Sequence, residues 1–247
     1  MGDGRLNASE MPFKRIWDET CPKVWDKWEA DGVTFVIQDL PEENEEEALD
    51  VMLHNQCNSE CRPVCTLHCN FEESMASKMC NDWRKYMKKR TSLVCFAIAG
   101  ETKEVVGVNV CFVKCTDDKT KKIKYSQRMM NIMATFEYIE TRMNVFEYIG
   151  DGKYLTARGL VVKMNYRNRT IGTRLLKARE PLCRYLGIKG TATIFNNDIS
   201  QKMASNCGFT TLVSLTYDQL SNAGFMHRPE RRDVAQRTNV LMAKKYY

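Results

Sequence analysis

The sequence predicts a single mixed α/β (α+β) domain with a mostly antiparallel central sheet. Three observations predict it. Short apolar runs rich in Val, Ile, Phe and Thr alternate with stretches of helical period. Two such runs, Ser92 to Ala99 and Glu104 to Lys114, flank Ala99-Gly100-Glu101-Thr102-Lys103, which reads as a hairpin turn. Leu160-Val161-Val162, strand-like, passes through a polar turn directly into a helix-like segment ending at Leu176. The chain has 247 residues, enough for one substantial core and short for two full domains.

Residues 1 to 32 read as an N-terminal arm packed on a domain spanning residues 33 to 247. The arm carries Trp17, Trp25 and Trp28; Trp25 and Trp28 sit three apart, the spacing of one helix face. Either these rings dock the arm by aromatic burial, or they border a substrate site. Val33 to Leu40 reads as a strand. Pro41 opens a helix whose first turns carry Glu42, Glu43, Glu45, Glu46 and Glu47, acids that suit a helix N-terminus. A loop near 55 to 69 precedes a helix near 71 to 89. After the hairpin, a polar stretch from Thr116 to Lys124 leads to one long helix near 125 to 148. Its Met130, Ile132, Met133, Phe136, Ile139 and Met143 follow the 3.6-residue period. Gly150-Asp151-Gly152 ends it. The strand, turn and helix around 160 to 176 follow, and Pro181 kinks that helix or ends its first half. Strands near 190 to 196, 209 to 217 and 238 to 244, with a helix near 198 to 206, complete the chain.

Charge and cysteine usage exclude several classes. Lys plus Arg total 37 and Asp plus Glu total 31, a net charge of +6. That modest surplus suits an anionic cofactor. No basic block interleaved with aromatics marks a nucleic-acid surface, and no apolar run reaches the ~18 residues of a membrane span. The start lacks a hydrophobic signal segment, so a cytoplasmic protein is expected. The 11 cysteines, an odd count, then read as free thiols. Cys57, Cys61, Cys65 and Cys69 stand four apart beside His54 and His68. Zinc sites usually use C-x-x-C, and Pro63 breaks a helical alignment, so free thiols are the reading, metal the alternative, and no metal is expected.

The segment from Leu160 to Thr173 carries the chemistry. A turn feeding a helix aims backbone N–H groups and the positive end of a dipole at one point, which suits a diphosphate. Gly172 permits close approach, and Arg167 and Arg169 add phosphate-pairing charge. Neither a Walker loop nor G-x-G-x-x-G is present. The run resembles the acetyl-CoA turn of the Gcn5-related N-acetyltransferases (GNAT), Arg/Gln-x-x-Gly-x-Gly/Ala, with Arg167, Thr170 and Gly172 at the defined positions and Thr170 in place of glycine. Thr193 to Phe209 is similar to the family's next strand, helix and Gly-Phe turn. Ala178 to Ile188 and Phe35 to Leu40 resemble the insect arylalkylamine branch.

The resemblance implies a GNAT fold with a splayed sheet and acetyl-CoA as cosubstrate. It implies cofactor contacts from Leu160, Val161, Val162, Arg167, Asn168, Arg169, Thr170, Ile171, Gly172, Thr173, Asn196 and Lys202. The backbone of Leu160 to Val162 would bind the pantetheine arm and the acetyl oxygen, although a plain buried strand would look the same. The implied base for direct attack by the amine is Glu43, with Glu42 and Glu45 as neighbouring substitutes. Ala204 replaces the family's acidic tyrosine, and Asn196 replaces one serine of the insect branch. Ser200 matches another such serine, either catalytic or a helix-start residue bonding the backbone. The implied partner is a small amine such as dopamine, tyramine, octopamine or serotonin. The rivals are a polyamine, a fatty amine or a protein amino group, and a CoA-binding protein with little transfer. Nothing here sets an oligomeric state.

Overall fold

The computed structural model describes residues 5–10, 13–58, 73–124, 127–225 and 237–247. In chain order the strands are β1 (Arg5–Glu10), β2 (Val24–Ala30), β3 (Val33–Asp39), β4 (Leu93–Ala99), β5 (Thr102–Cys115), β6 (Lys119–Lys124), β7 (Lys153–Val162), β8 (Gly190–Phe195), β9 (Thr210–Thr216) and β10 (Thr238–Lys245). The helices are α1 (Glu45–Asn58), α2 (Glu73–Met87), α3 (Gln127–Glu140), α4 (Val145–Ile149), α5 (Ile171–Lys177), α6 (Arg179–Tyr185), α7 (Asp198–Asn206) and α8 (Tyr217–Asn222). Eight strands form one sheet in the order β2-β3-β4-β5-β7-β8-β10-β9; β1 and β6 form a separate ribbon. Neighbours in the sheet are antiparallel except β7 and β8, which run parallel. The expected mixed, mostly antiparallel fold is therefore observed.

The central strand β5 is buried on both faces. Val108, Val110 and Phe112 face α1 and α2, with Tyr86 stacked on Phe112 at 4.3 Å. Val106, Cys111 and Val113 face α5 and α6. Gly107 lies where a Cβ would come within 3.0 Å of Leu175 Cδ1 and 3.1 Å of Ile171 Cγ2. The bare backbone lets α5 settle on β5. Burial of Ile171 and Leu175 there contributes about 1.5–3 kcal/mol each.

Four expectations change. Trp25 and Trp28 lie on strand β2, hairpin-paired with β3, so the boundary expected after residue 32 falls inside the sheet. Trp28 stacks on Phe35 at 5.1 Å. This region is pinned by the buried pair Arg15–Asp39 at 2.6 Å; Trp25 Nε1 donates to the same carboxylate at 2.9 Å. The long helix near 125 to 148 is two helices, because the Asn144 side chain accepts from Glu147 N at 3.3 Å and starts α4 anew. The polar stretch before it holds β6, paired with the distant β1. The strand expected to run to 217 gives way to α8, opened by a capping box between Thr216 and Gln219. Pro181 lies in the first turn of α6, just past the break between α5 and α6 at Ala178. No helix among the described residues is long and apolar enough to cross a membrane. Cys61, Cys65 and Cys69, with His68, lie outside the described residues, as does the side chain of Cys57.

Candidate active site

The parallel strands β7 and β8 meet at the register Leu155 with Thr191 and then part. A network ties the fork. Thr191 Oγ1 donates to Leu155 O at 2.7 Å. Arg179, on α6, donates from Nη1 to Thr193 Oγ1 at 2.8 Å and to Thr191 Oγ1 at 3.3 Å, and from Nε to Asn109 Oδ1 at 2.9 Å. Asn109 Nδ2 in turn donates to Gly159 O at 2.8 Å, beside a bulge in the β5–β7 pairing. Gly159 has φ 142°, a conformation that favours glycine. Beyond the fork a cleft of about 620 Å³ opens, lined by β7 from Thr156 to Val162 on one side and by Thr193 to Asn197 on the other.

One end of the cleft is the turn between β7 and α5. Asn168 and Thr170 have positive φ, 63° and 62°. Thr170 is β-branched in a left-handed conformation, so the backbone takes the shape glycine would allow and the threonine bears strain. A chain of contacts holds the turn. Lys163 Nζ and Tyr166 Oη both donate to Glu104, at 2.8 and 2.9 Å, and Lys163 above all holds that carboxyl below its usual range. Tyr166 meets Phe35 edge-on at 6.3 Å. A Cβ on Gly172 would meet Met203 Sδ at 3.2 Å. Leu160, Val161, Val162, Arg167, Asn168, Thr170, Ile171, Gly172 and Thr173 all line the cleft, as do Asn196 and Ser200. Helix α5 leaves its first N–H groups without intrahelical acceptors, the arrangement a diphosphate fits.

Three expected site residues stand elsewhere. Arg169 is outside the lining and pairs with Asp31 at 3.4 Å. Lys202 is exposed on α7, outside the lining. Glu43 is exposed on the 3-10 turn Glu42–Asn44 and does not reach the cleft. Its neighbours serve packing. Glu42 pairs with Arg90, Glu46 with Arg84 at 2.8 Å, and Glu47 accepts from Val105 N at 2.9 Å. Burial pushes Glu45 up. Ser200 both lines the cleft and bonds the start of α7: its N–H donates to Asn197 Oδ1 at 2.9 Å and its hydroxyl to Asn197 O at 2.8 Å. Ala204 is fully buried against Leu176, Phe195 and Phe209.

The other end of the cleft was not foreseen. Met79, Trp83, Phe112, Ile132, Met133 and Phe136 make it apolar, and Asp82, Lys114, Glu140 and Arg158 charge it. Trp83 Nε1 donates to Arg158 O at 3.1 Å. Lys114 pairs with Glu140 at 2.6 Å. Arg158 donates from Nε to Tyr86 Oη at 3.3 Å and lies 5.5 and 5.7 Å from the Tyr86 and Phe112 ring centres. Burial opposes its charge, but Tyr86, Glu140 and Asp82 outweigh that and raise its pKa. A charged residue placed alternately with Ala157 and Gly159 on a strand gives little sequence signal.

The Acetyltransferase (GNAT) family matches residues 53–209, more than half of the chain. No curated protein sequence matches. Among solved structures, one yellow fever mosquito protein, provisionally described as arylalkylamine N-acetyltransferase 7, is 29% identical with a TM-score of 0.84, covering 95% of this chain and 100% of its own. Arylalkylamine N-acetyltransferase 2 of Aedes aegypti shares the fold at 14% identity and TM-score 0.69, covering 86% and 99%. So does a Drosophila melanogaster polyamine N-acetyltransferase that forms N-acetylagmatine, at 14% identity and TM-score 0.66, covering 85% and 99%. The family match, over a sheet in which β7 and β8 part ahead of the phosphate turn, establishes that the chain belongs to the acetyltransferase (GNAT) family, N-acetyltransferases that draw on acetyl-CoA.

Proposed function

We propose that the protein transfers the acetyl group of acetyl-CoA to the primary amine of a small substrate with an aromatic or similarly apolar body, by direct attack in a ternary complex. One observation carries the reading. A single cleft joins the 167–173 turn, fit for a diphosphate, to an apolar chamber walled by Trp83, Phe112 and Phe136 and bearing Asp82 and Glu140. The thioester is already activated, so the protein must orient, deprotonate and stabilise charge. The turn's N–H groups and Arg167 hold phosphates. The backbone of Leu160 to Val162, along the unpaired edge of β7, offers N–H groups to the acyl oxygen. Asp82 and Glu140, beside Lys114 and Arg158, are the carboxylates within the chamber, and one of them, rather than Glu43, takes the ammonium proton. Ser200 anchors the start of α7.

The same two carboxylates favour a second reading, a polyamine with a second cation. A thiol-release assay with tyramine, agmatine, spermidine and a long-chain amine separates these. Turnover fastest with the aromatic amine is expected. Preference for agmatine or spermidine would replace the first reading with the second, and CoA binding without turnover of any amine would overturn both.

A further inference from the structure

Arg179 is 1% exposed, yet no carboxylate lies within ion-pair distance of it among the described residues. Its acceptors, Asn109 Oδ1, Thr191 Oγ1, Thr193 Oγ1 and the Cys111 thiol, are all neutral. The groups whose titration it influences are neutral too. Burial pushes the Cys111 thiol up to about 11, and raises Cys183, Cys207 and the Tyr246 phenol. The one carboxylate on its own helix, Glu180, turns outward to Arg184 at 3.0 Å and Lys244 at 3.4 Å. Guanidinium does not deprotonate in proteins, so a full positive charge is buried without a counter-ion. Such an arrangement is costly and calls for a negative partner that arrives from outside. Arg179 lines the cleft at the fork of β7 and β8.

We propose that Arg179 holds a fixed positive charge beneath the thioester and stabilises the CoA thiolate as it leaves. The assignment rests on the acetyl-CoA reading above. In the step, the amine nitrogen forms a bond to the acyl carbon and gives its proton to the cleft carboxylate. The carbon–sulfur bond breaks with its electron pair going to sulfur. The thiolate then departs as an anion beside the guanidinium and is protonated later from water. Ala204, at the position implied for an acidic tyrosine, offers no proton, and a fixed charge makes one unnecessary.

The test compares the binding of CoA and desulfo-CoA across pH by calorimetry, in the wild type, Arg179→Gln and Arg179→Lys. Only CoA ionises. If the thiolate is favoured, CoA gains affinity over desulfo-CoA as pH climbs from the lowered pKa of the bound thiol to that of the free thiol, and the gain is constant above it. A shift of about one unit makes this preference about 10-fold. Arg179→Gln should keep wild-type affinity for desulfo-CoA, lose the preference and lower kcat by on the order of 10²- to 10³-fold. Arg179→Lys should restore part of both. An Arg179→Gln protein with the wild-type preference overturns the proposal. Should that variant not fold, the wild type still decides: equal affinity for both ligands at every pH overturns the proposal alone. Binding of neither overturns the acetyl-CoA reading with it.

Discussion

At its donor end the cleft is walled largely by residues close in sequence, Leu160 to Val162 and most of Tyr166 to Thr173; at its acceptor end it is walled by residues brought together from α2, β5, α3 and β7. The donor end must fit a moiety common to every acyl-CoA, and a backbone turn braced by Glu104, Lys163 and Tyr166 changes little when side chains change. The acceptor end must discriminate among amines. There the chemistry sits in exchangeable groups such as Asp82, Trp83 and Phe136, with Arg158 held over Tyr86 and Phe112. A task common to every acyl-CoA is met by one local segment, a task particular to one amine by groups that meet through tertiary packing.

The sharpest way to break this contrast is Gly172→Glu. A Cβ there already meets Met203 Sδ at 3.2 Å, and a carboxylate would face the diphosphate. CoA affinity should fall by more than about 10²-fold, with cooperative melting retained; calorimetry and a thermal melt check this. Next come the acids. Loss of the general base should lower kcat by on the order of 10²-fold, so Asp82→Asn or Glu140→Gln should show that loss with unchanged CoA affinity. Glu43→Gln, at an exposed site, should stay within about two-fold of the wild type. If Glu43→Gln alone loses turnover, the base lies outside the cleft and is the Glu43 that the family resemblance implies.

Smaller effects sharpen the picture. Phe136→Leu should raise KM for an aromatic amine by about 3- to 10-fold while leaving acetyl-CoA affinity intact, as loss of ring contacts would. An equal loss for both substrates would show that the two ends are not separable. Thr170→Gly should relieve the left-handed strain at φ 62° and raise Tm by about 2–4 °C, corresponding to about 1 kcal/mol. A lower Tm would mean that the threonine side chain offsets its strain through contacts of its own.

The same division explains what could be read from the sequence. Leu160 to Leu176 and Thr193 to Phe209 are contiguous, so their local order already announces strand, turn and helix. Trp25 and Trp28 misled because a spacing of three suits a helix face, and nothing nearby says that β3 will pair with them. Five glutamates crowd the start of α1, so no local rule singles out one of them, and the structure turns four toward Arg90, Arg84 and Val105. Asp82, Glu140 and Arg158 meet only through tertiary packing. Arg179 did leave a trace: it lies three or four residues from Leu175, Leu176, Leu182 and Cys183, so it interrupts the apolar stripe of its helix. A charge on a buried stripe asks for an explanation; one on the opposite face does not.

Cys111 and Cys183 sit fully buried beneath the fork, held as neutral thiols by their surroundings. A protein that handles an activated acyl group risks acylating itself, since any accessible thiolate competes with the intended amine. Protonated sulfur is a poor nucleophile. Dry packing around these two side chains therefore acts as chemical insulation, directing the acyl group to nitrogen and sparing the scaffold from modification by its own reagent.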